Sequence, residues 1–163
     1  MDSLANAISD VDAVLPTSES SENAKFQIID FLKNHPDALH RTCLDGHLTG
    51  SAAIIDYTGK RILIMLHKKL QIWIQPGGHA DGDGNLPRVA LREATEETGI
   101  DGLEILTPGI DCDVHAIPAR PGEPKHLHLD IRYLIRAPRN SVVQRNHESV
   151  QMRWLNFDEL TQL

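Results

Sequence analysis

Leu4, Ile8, Val11 and Leu15 fall at i, i+4, i+7 and i+11, an apolar stripe that predicts a helix ending before Pro16. Residues 17–21 are a polar break rich in N-cap types, and a second helix is predicted from there through Phe26, Ile29 and Leu32 to Asn34, stopped by Pro36. Near Gly50 the period turns extended. Residues 51–57 are small and β-branched, Thr58-Gly59-Lys60 is a turn signal and 61–67 is an apolar run, together a hairpin. Further strands are predicted over 71–75, 103–106, 111–117, 127–136 and 150–154. Residues 86–98 read as a helix with Pro87 in its first turn and Gly99 as its stop, and residues 157–160 begin a last helix. Strands with helices inserted among them predict an α+β fold or an α/β/α sandwich. Residues 1–40 read as a helical extension and 41–163 as the main domain. The extension is a packing or capping element on this reading. Dimerisation, which leaves a homodimer open, and covering of a substrate are its other roles.

Composition narrows the partners. The 163 residues suit one domain with a short extension, and 40% hydrophobic with 24% charged residues is ordinary globular usage, which excludes wholesale disorder, collagen and coiled coil. Sixteen basic against 23 acidic residues give a formal charge of −7, which argues against binding a nucleic-acid duplex. A phosphorylated small molecule stays compatible, because a bound cation inverts the local field. Cys43 and Cys112 lie far apart in no metal-ligand spacing, so a disulfide framework is excluded and a reducing, cytoplasmic setting is expected. The first residues lack the basic and apolar regions of a signal peptide, and no apolar run approaches the roughly 18 residues of a membrane span.

The predicted helix over 86–98 carries the chemistry. Glu93, Glu96 and Glu97 stand at i, i+3 and i+4 on one face, while Leu91, Ala94 and Thr98 face elsewhere and Arg92 sits beside the carboxylates. Three carboxylates on one face repel each other, and a divalent cation relieves that repulsion. Oxygen-only ligands suit Mg²⁺ or Mn²⁺ rather than zinc. In isolation the segment reads equally as a solvated acidic face. A strand ending in Pro76-Gly77-Gly78, then a glycine- and aspartate-rich loop, then this helix closed by Gly99-Ile100, is a more specific arrangement. The loop matches neither an EF-hand, since Leu86 and Arg92 stand where glycine and glutamate belong, nor a P-loop, which needs a Lys-Ser/Thr.

Residues 78–100 resemble the box of the Nudix hydrolase family: Gly, five residues, Glu, seven residues, Arg-Glu, an aliphatic, any residue, Glu-Glu, any residue, Gly, an aliphatic. Gly78 fits the first position, and Arg92-Glu93-Ala94-Thr95-Glu96-Glu97-Thr98-Gly99-Ile100 fits the second half without insertion or deletion. The resemblance implies a Nudix-type α/β/α sandwich with a mixed sheet, and hydrolysis of a diphosphate linkage in a nucleoside triphosphate or dinucleotide-type substrate. It implies one to three Mg²⁺ ions on Glu93, Glu96, Glu97 and the Gly78 carbonyl, with Arg92 orienting the carboxylates. Glu97 belongs to the catalytic set, and Glu93 and Glu148, six residues before Trp154, are the two candidates for general base. Two positions depart from the pattern. Gly84 stands where the first glutamate of the box belongs, with Asp81 and Asp83 as stand-ins, and Ala94 replaces a larger aliphatic. A nucleotide-binding sensor without turnover is the second reading. An isoprenoid-diphosphate isomerase is the third, and neither cysteine has the context its acid would need.

His126, His128 and Asp130 alternate on a predicted strand and so share a face. They could form a transition-metal triad, but three ligands on one straight strand converge poorly on one ion. A polar wall of the substrate pocket and a solvent-facing strand are the other readings. Arg120 and Lys125, in a proline-rich loop, are candidate anchors for a terminal phosphate, or else ordinary loop residues, and His79 either faces substrate or caps its loop. Trp73, Tyr133 and Trp154 are expected in the core.

Overall fold

The computed structural model describes residues 3–144 and 146–163. In chain order it contains α1 (Ser3–Asp12), α2 (Glu19–Asn34), β1 (Gly46–Ile55), β2 (Ile62–His67), β3 (Trp73–Ile74), β4 (Gly77–His79), α3 (Leu86–Thr98), β5 (Glu104–Ile117), β6 (His126–Arg136), β7 (Ser149–Leu155) and α4 (Phe157–Leu160). The strands form one mixed sheet, ordered β3-β2-β1-β6-β5, with β4 also paired to β1 and β7 to β2. The fold is α+β, as the alternation of periods predicts.

β1 is the hub. It runs parallel to β6 over its whole length and antiparallel to β2 and β4. A strand paired in parallel is normally covered on both faces, and all of β1 but its last residue is buried. Its even-numbered positions face the helices: a Cβ built on Gly50 would stand 3.2 Å from the Ala90 nitrogen and the Val89 Cγ1 of α3. Leu48 therefore joins a core cluster with Ala7 and Val11 of α1, Ile28 and Leu32 of α2, Val89 of α3 and Ile131 of β6. A second cluster gathers Ala52, Ile54, Ala94, Ile100 and Ile135 around the other end of α3. The odd positions, His47, Thr49 and Ser51, face the opposite way with their β6 partners His128, Asp130 and Arg132. That face is polar.

Local chemistry sets the helix bounds. The Ser18 hydroxyl accepts from the Ser21 N–H at the start of α2. The Asn85 side chain accepts from the Arg88 N–H at the start of α3, Pro87 occupies its first turn, and Gly99 closes it in the left-handed region at φ 63°. Four details differ from the sequence pattern. α1 stops at Asp12, and Leu15 is exposed, because the chain turns away to bond Gly109 through its Leu15 N–H. Phe26 is exposed as well, since α2 buries Ser21, Ala24, Ile28 and Leu32 instead. The strands expected over 103–106 and 111–117 are one element, β5, whose register shifts between Leu106 and Asp111. β4, expected as part of a loop, is a short strand held by β1. Tyr133 is buried as expected, while Trp73 and Trp154 are only partly so. No helix among the described residues is long and apolar enough to cross a membrane.

Candidate active site

α3 and β4 meet at the carboxylates. Gly78 lies directly against Glu93: a Cβ at Gly78 would overlap the Glu93 carboxylate, so any other residue there would displace that side chain. The Gly77 N–H donates to Glu97 Oε2 at 2.9 Å. Arg92 reaches back along both elements. Its Nη2 donates to the His79 carbonyl at 2.9 Å and to Glu93 Oε1 at 3.0 Å. The helix face read from the sequence is thus pinned to the strand that precedes it, through Arg92 and the Gly77 N–H.

The three carboxylates differ in environment. Glu96 is exposed and Glu93 is half-buried. Glu97 is only 3% exposed. Burial pushes the Glu93 pKa up against the pull of Arg92. Burial pushes Glu97 to about 8, opposed by the Gly77 N–H and reinforced by Glu148 and Glu93. Glu148, just before β7 and 70 residues away in sequence from Gly78, stands near enough to Glu97 to help raise its pKa. The sheet therefore brings together Glu93, Glu97 and Glu148, the three residues expected to carry catalysis. A proton or a cation stabilises such a group, and every donor is oxygen, so the set fits Mg²⁺ or Mn²⁺.

The loop between β4 and α3 explains the departure at Gly84. A Cβ there would fall on the Ser3 backbone at the start of α1, so a glutamate cannot be placed. Asp83 supplies a carboxylate instead. It accepts from Arg88 Nε and Nη2 at 2.7 Å each and lies 4.0 Å from Arg92 Nη1. Asp81 turns the other way, bound to Arg41 at 2.8 Å through both oxygens. α1 adds a further contact that no local pattern signals: Asp10 Oδ2 accepts from the Leu86 N–H at 3.0 Å, at the positive end of α3.

On the polar face, His126, His128 and Asp130 do share one side of β6, but they do not act on one point. Asp130 is buried and takes hydroxyls from Thr49 at 2.8 Å and Ser51 at 2.5 Å. His126 and His128 turn instead towards His47. His79 joins them from β4, its ring 5.0 Å from those of His47 and His128. Burial holds the pKa of His79 down at about 4, helped by the charge of Arg41, and that of His128 at about 3. Arg120 and Lys125 are exposed on the loop between β5 and β6, and neither forms an ion pair with a described residue. Sequence reasoning missed His47, Thr49 and Ser51. Their alternation with small apolar residues is a strand signal, but it begins four residues before the stretch that reads as extended.

The family model described as NUDIX domain matches residues 47–163. Among solved structures, a C. elegans Ap4A hydrolase in a binary complex superposes with a TM-score of 0.57 at 20% identity, over 71% of this chain and 83% of that one. A NUDIX-family hydrolase from Clostridium perfringens gives 0.54 at 22% identity, over 72% and 85%. The NUDIX domain of Shewanella oneidensis NrtR, complexed with ADP ribose, gives 0.51 at 17% identity, over 71% and 76%. At these identities the likeness is one of fold.

Proposed function

The chain belongs to the NUDIX hydrolase family, and from that membership and the carboxylate site we propose that it hydrolyses a diphosphate linkage in a nucleoside diphosphate joined to a second group. A nucleoside triphosphate or a dinucleotide-type compound is the substrate on this reading. The observation that carries it is Glu97: a carboxylate 3% exposed, held by the Gly77 N–H and crowded by Glu93 and Glu148. Such a group is costly to bury unless something positive meets it.

Glu93, Glu96 and Glu97, with the Gly78 carbonyl, would hold Mg²⁺, with Mn²⁺ as its substitute. When bound there, the ion neutralises diphosphate oxygens and acts as a Lewis acid on them. The chain's own groups do the rest. Arg92 fixes Glu93 against β4, and the Gly77 N–H fixes Glu97. Glu148, which acts on Glu97 electrostatically, would take a proton from water, with Glu93 as the other candidate base. On this reading His79, His126 and His128 would form a polar wall of the substrate pocket, Asp130 stiffens their face through Thr49 and Ser51, and the exposed Arg120 and Lys125 would meet a terminal phosphate. Gly84 does not favour a binding-only sensor, because Asp83 already serves the arginines of α3. The two buried free thiols support a reducing, cytoplasmic setting.

ADP-ribose, diadenosine tetraphosphate and nucleoside triphosphates, each with Mg²⁺ or Mn²⁺, form the test panel. Release of phosphate, pyrophosphate or a nucleoside monophosphate is expected, falling about 10²–10⁴-fold in Glu97→Gln. Wild-type turnover in that variant, or tight binding without cleavage across the panel, overturns the proposal.

A further inference from the structure

The rings of His47, His126 and His128 form a cluster, and the diphosphate reading, which uses His126 and His128 only as a wall, gives His47 no part and no reason for the clustering. His47 lies on β1 directly beside His128 of β6 in the parallel register. Their centroids are 5.2 Å apart, with His126 at 4.7 Å from His47 and 5.2 Å from His128. Each ring offers one nitrogen such that the three nitrogens all lie within 4.8 Å of one another. A tetrahedral ion bound at about 2.0–2.1 Å wants them roughly 3.4 Å apart, so small rotations of the rings close the gap.

The hydrogen bonding of these buried rings is incomplete. His47 is 3% exposed and neither ring nitrogen completes a hydrogen bond; His126 is 5% exposed and its Nε2 has none. The Cys43 backbone pulls the His47 pKa up without completing a bond. Orphaned buried polar atoms are rare, and each costs about 1–3 kcal/mol. Rings buried merely as packing would have their nitrogens paired. His126 is also oriented: its Nδ1 faces the Pro124 carbonyl at 2.9 Å, which places the proton on Nδ1 and leaves the Nε2 lone pair to the cluster.

We propose that His47, His126 and His128 bind one zinc-class transition-metal ion at a site separate from the α3 carboxylates. Three imidazoles suit Zn²⁺ or Co²⁺ and are poor ligands for Mg²⁺. Glu123, 3.7 Å from His126 Nε2, adds negative charge at the rim. The opposing charge of Arg41 is neutralised by its two-point pairing with Asp81. The fourth position is left to water or an incoming ligand. The proposal does not rest on the hydrolase reading, since its test reads metal binding and not turnover.

The full-length chain, stripped with a chelator and held in excess Mg²⁺, is titrated with Co²⁺. One equivalent is expected to raise the visible absorption of tetrahedral Co²⁺, and Zn²⁺ to abolish it. Glu97→Gln and His115→Gln keep the signal; His47→Gln and His126→Gln weaken binding at least about 100-fold. A colourless wild type, or a signal that survives His47→Gln and disappears in Glu97→Gln, overturns the site. Should the histidine variants fail to fold by circular dichroism, the imidazole ¹⁵N resonances of the wild type decide. Zn²⁺ shifts at His47, His126 and His128 support the site, and their absence overturns it.

Discussion

Gly78 and Gly84 show how much a single missing Cβ can specify. At Gly78 the side chain is absent because the Glu93 carboxylate fills its place. At Gly84 it is absent because the start of α1 fills it. The first is part of the site and the second is the mark of the N-terminal helix on the site's loop. Gly78→Ala therefore pushes Glu93 away from Arg92 and from β4, at a steric cost of about 1–3 kcal/mol. The expected outcome is a fall in kcat/KM of about 10–100-fold at saturating Mg²⁺, the loss typical when a ligand is displaced rather than removed. Steady-state kinetics on the best substrate of the panel measure it, and an unchanged kcat/KM would show that Glu93 need not sit where it does.

At the scale of elements, the turn from β1 to β2 holds one strongly shifted carboxylate. Burial raises the Asp56 pKa, but Arg61, the Thr58 hydroxyl and the Lys60 and Arg61 N–H groups outweigh it and bring it down to about 2. The folded value lies below the unfolded one, so the stabilisation is fully present above about pH 5 and is lost as pH falls through the folded pKa near 2. Arg61 is half in solvent, so screening reduces the full linkage value to about 1–2 kcal/mol. Urea melts of the wild type and Asp56→Asn should differ by that amount at neutral pH and converge in acid; a constant gap would sink the assignment. This turn and α3 were legible in the sequence for the same reason. Their signals are local: Thr58-Gly59-Lys60 between two apolar runs, and Pro87 and Gly99 bracketing a helical period. β4 was not legible, because three residues with two glycines become a strand only when β1 is there to bond them. His47 escaped for a related reason. Its partner His128 is 81 residues away across a parallel pair, and no periodicity reports such a pairing.

Across the whole molecule, the family match begins at residue 47, yet the core does not. Ile28 and Leu32 of α2 are fully buried in the cluster that contains Leu129, Ile131 and Tyr133 of β6. The Ser21 hydroxyl accepts from the Cys112 N–H of β5 at 3.0 Å, and Asp10 of α1 caps α3. A helical extension joined in this way melts with the sheet and not before it. Ile28→Ala removes a fully buried side chain and is expected to destabilise the protein by about 2–5 kcal/mol. Both tryptophans, Trp73 and Trp154, lie outside the helices. Their fluorescence and the far-ultraviolet circular dichroism should therefore shift together to lower urea with an unchanged slope. An independent extension would give a different result: circular dichroism would lose an early phase while the tryptophan transition stayed in place. Coincident transitions would mean that residues 3–34 are part of what holds Asp83, Arg92 and Glu93 in register, and that this site cannot be cut away from its first two helices without loosening.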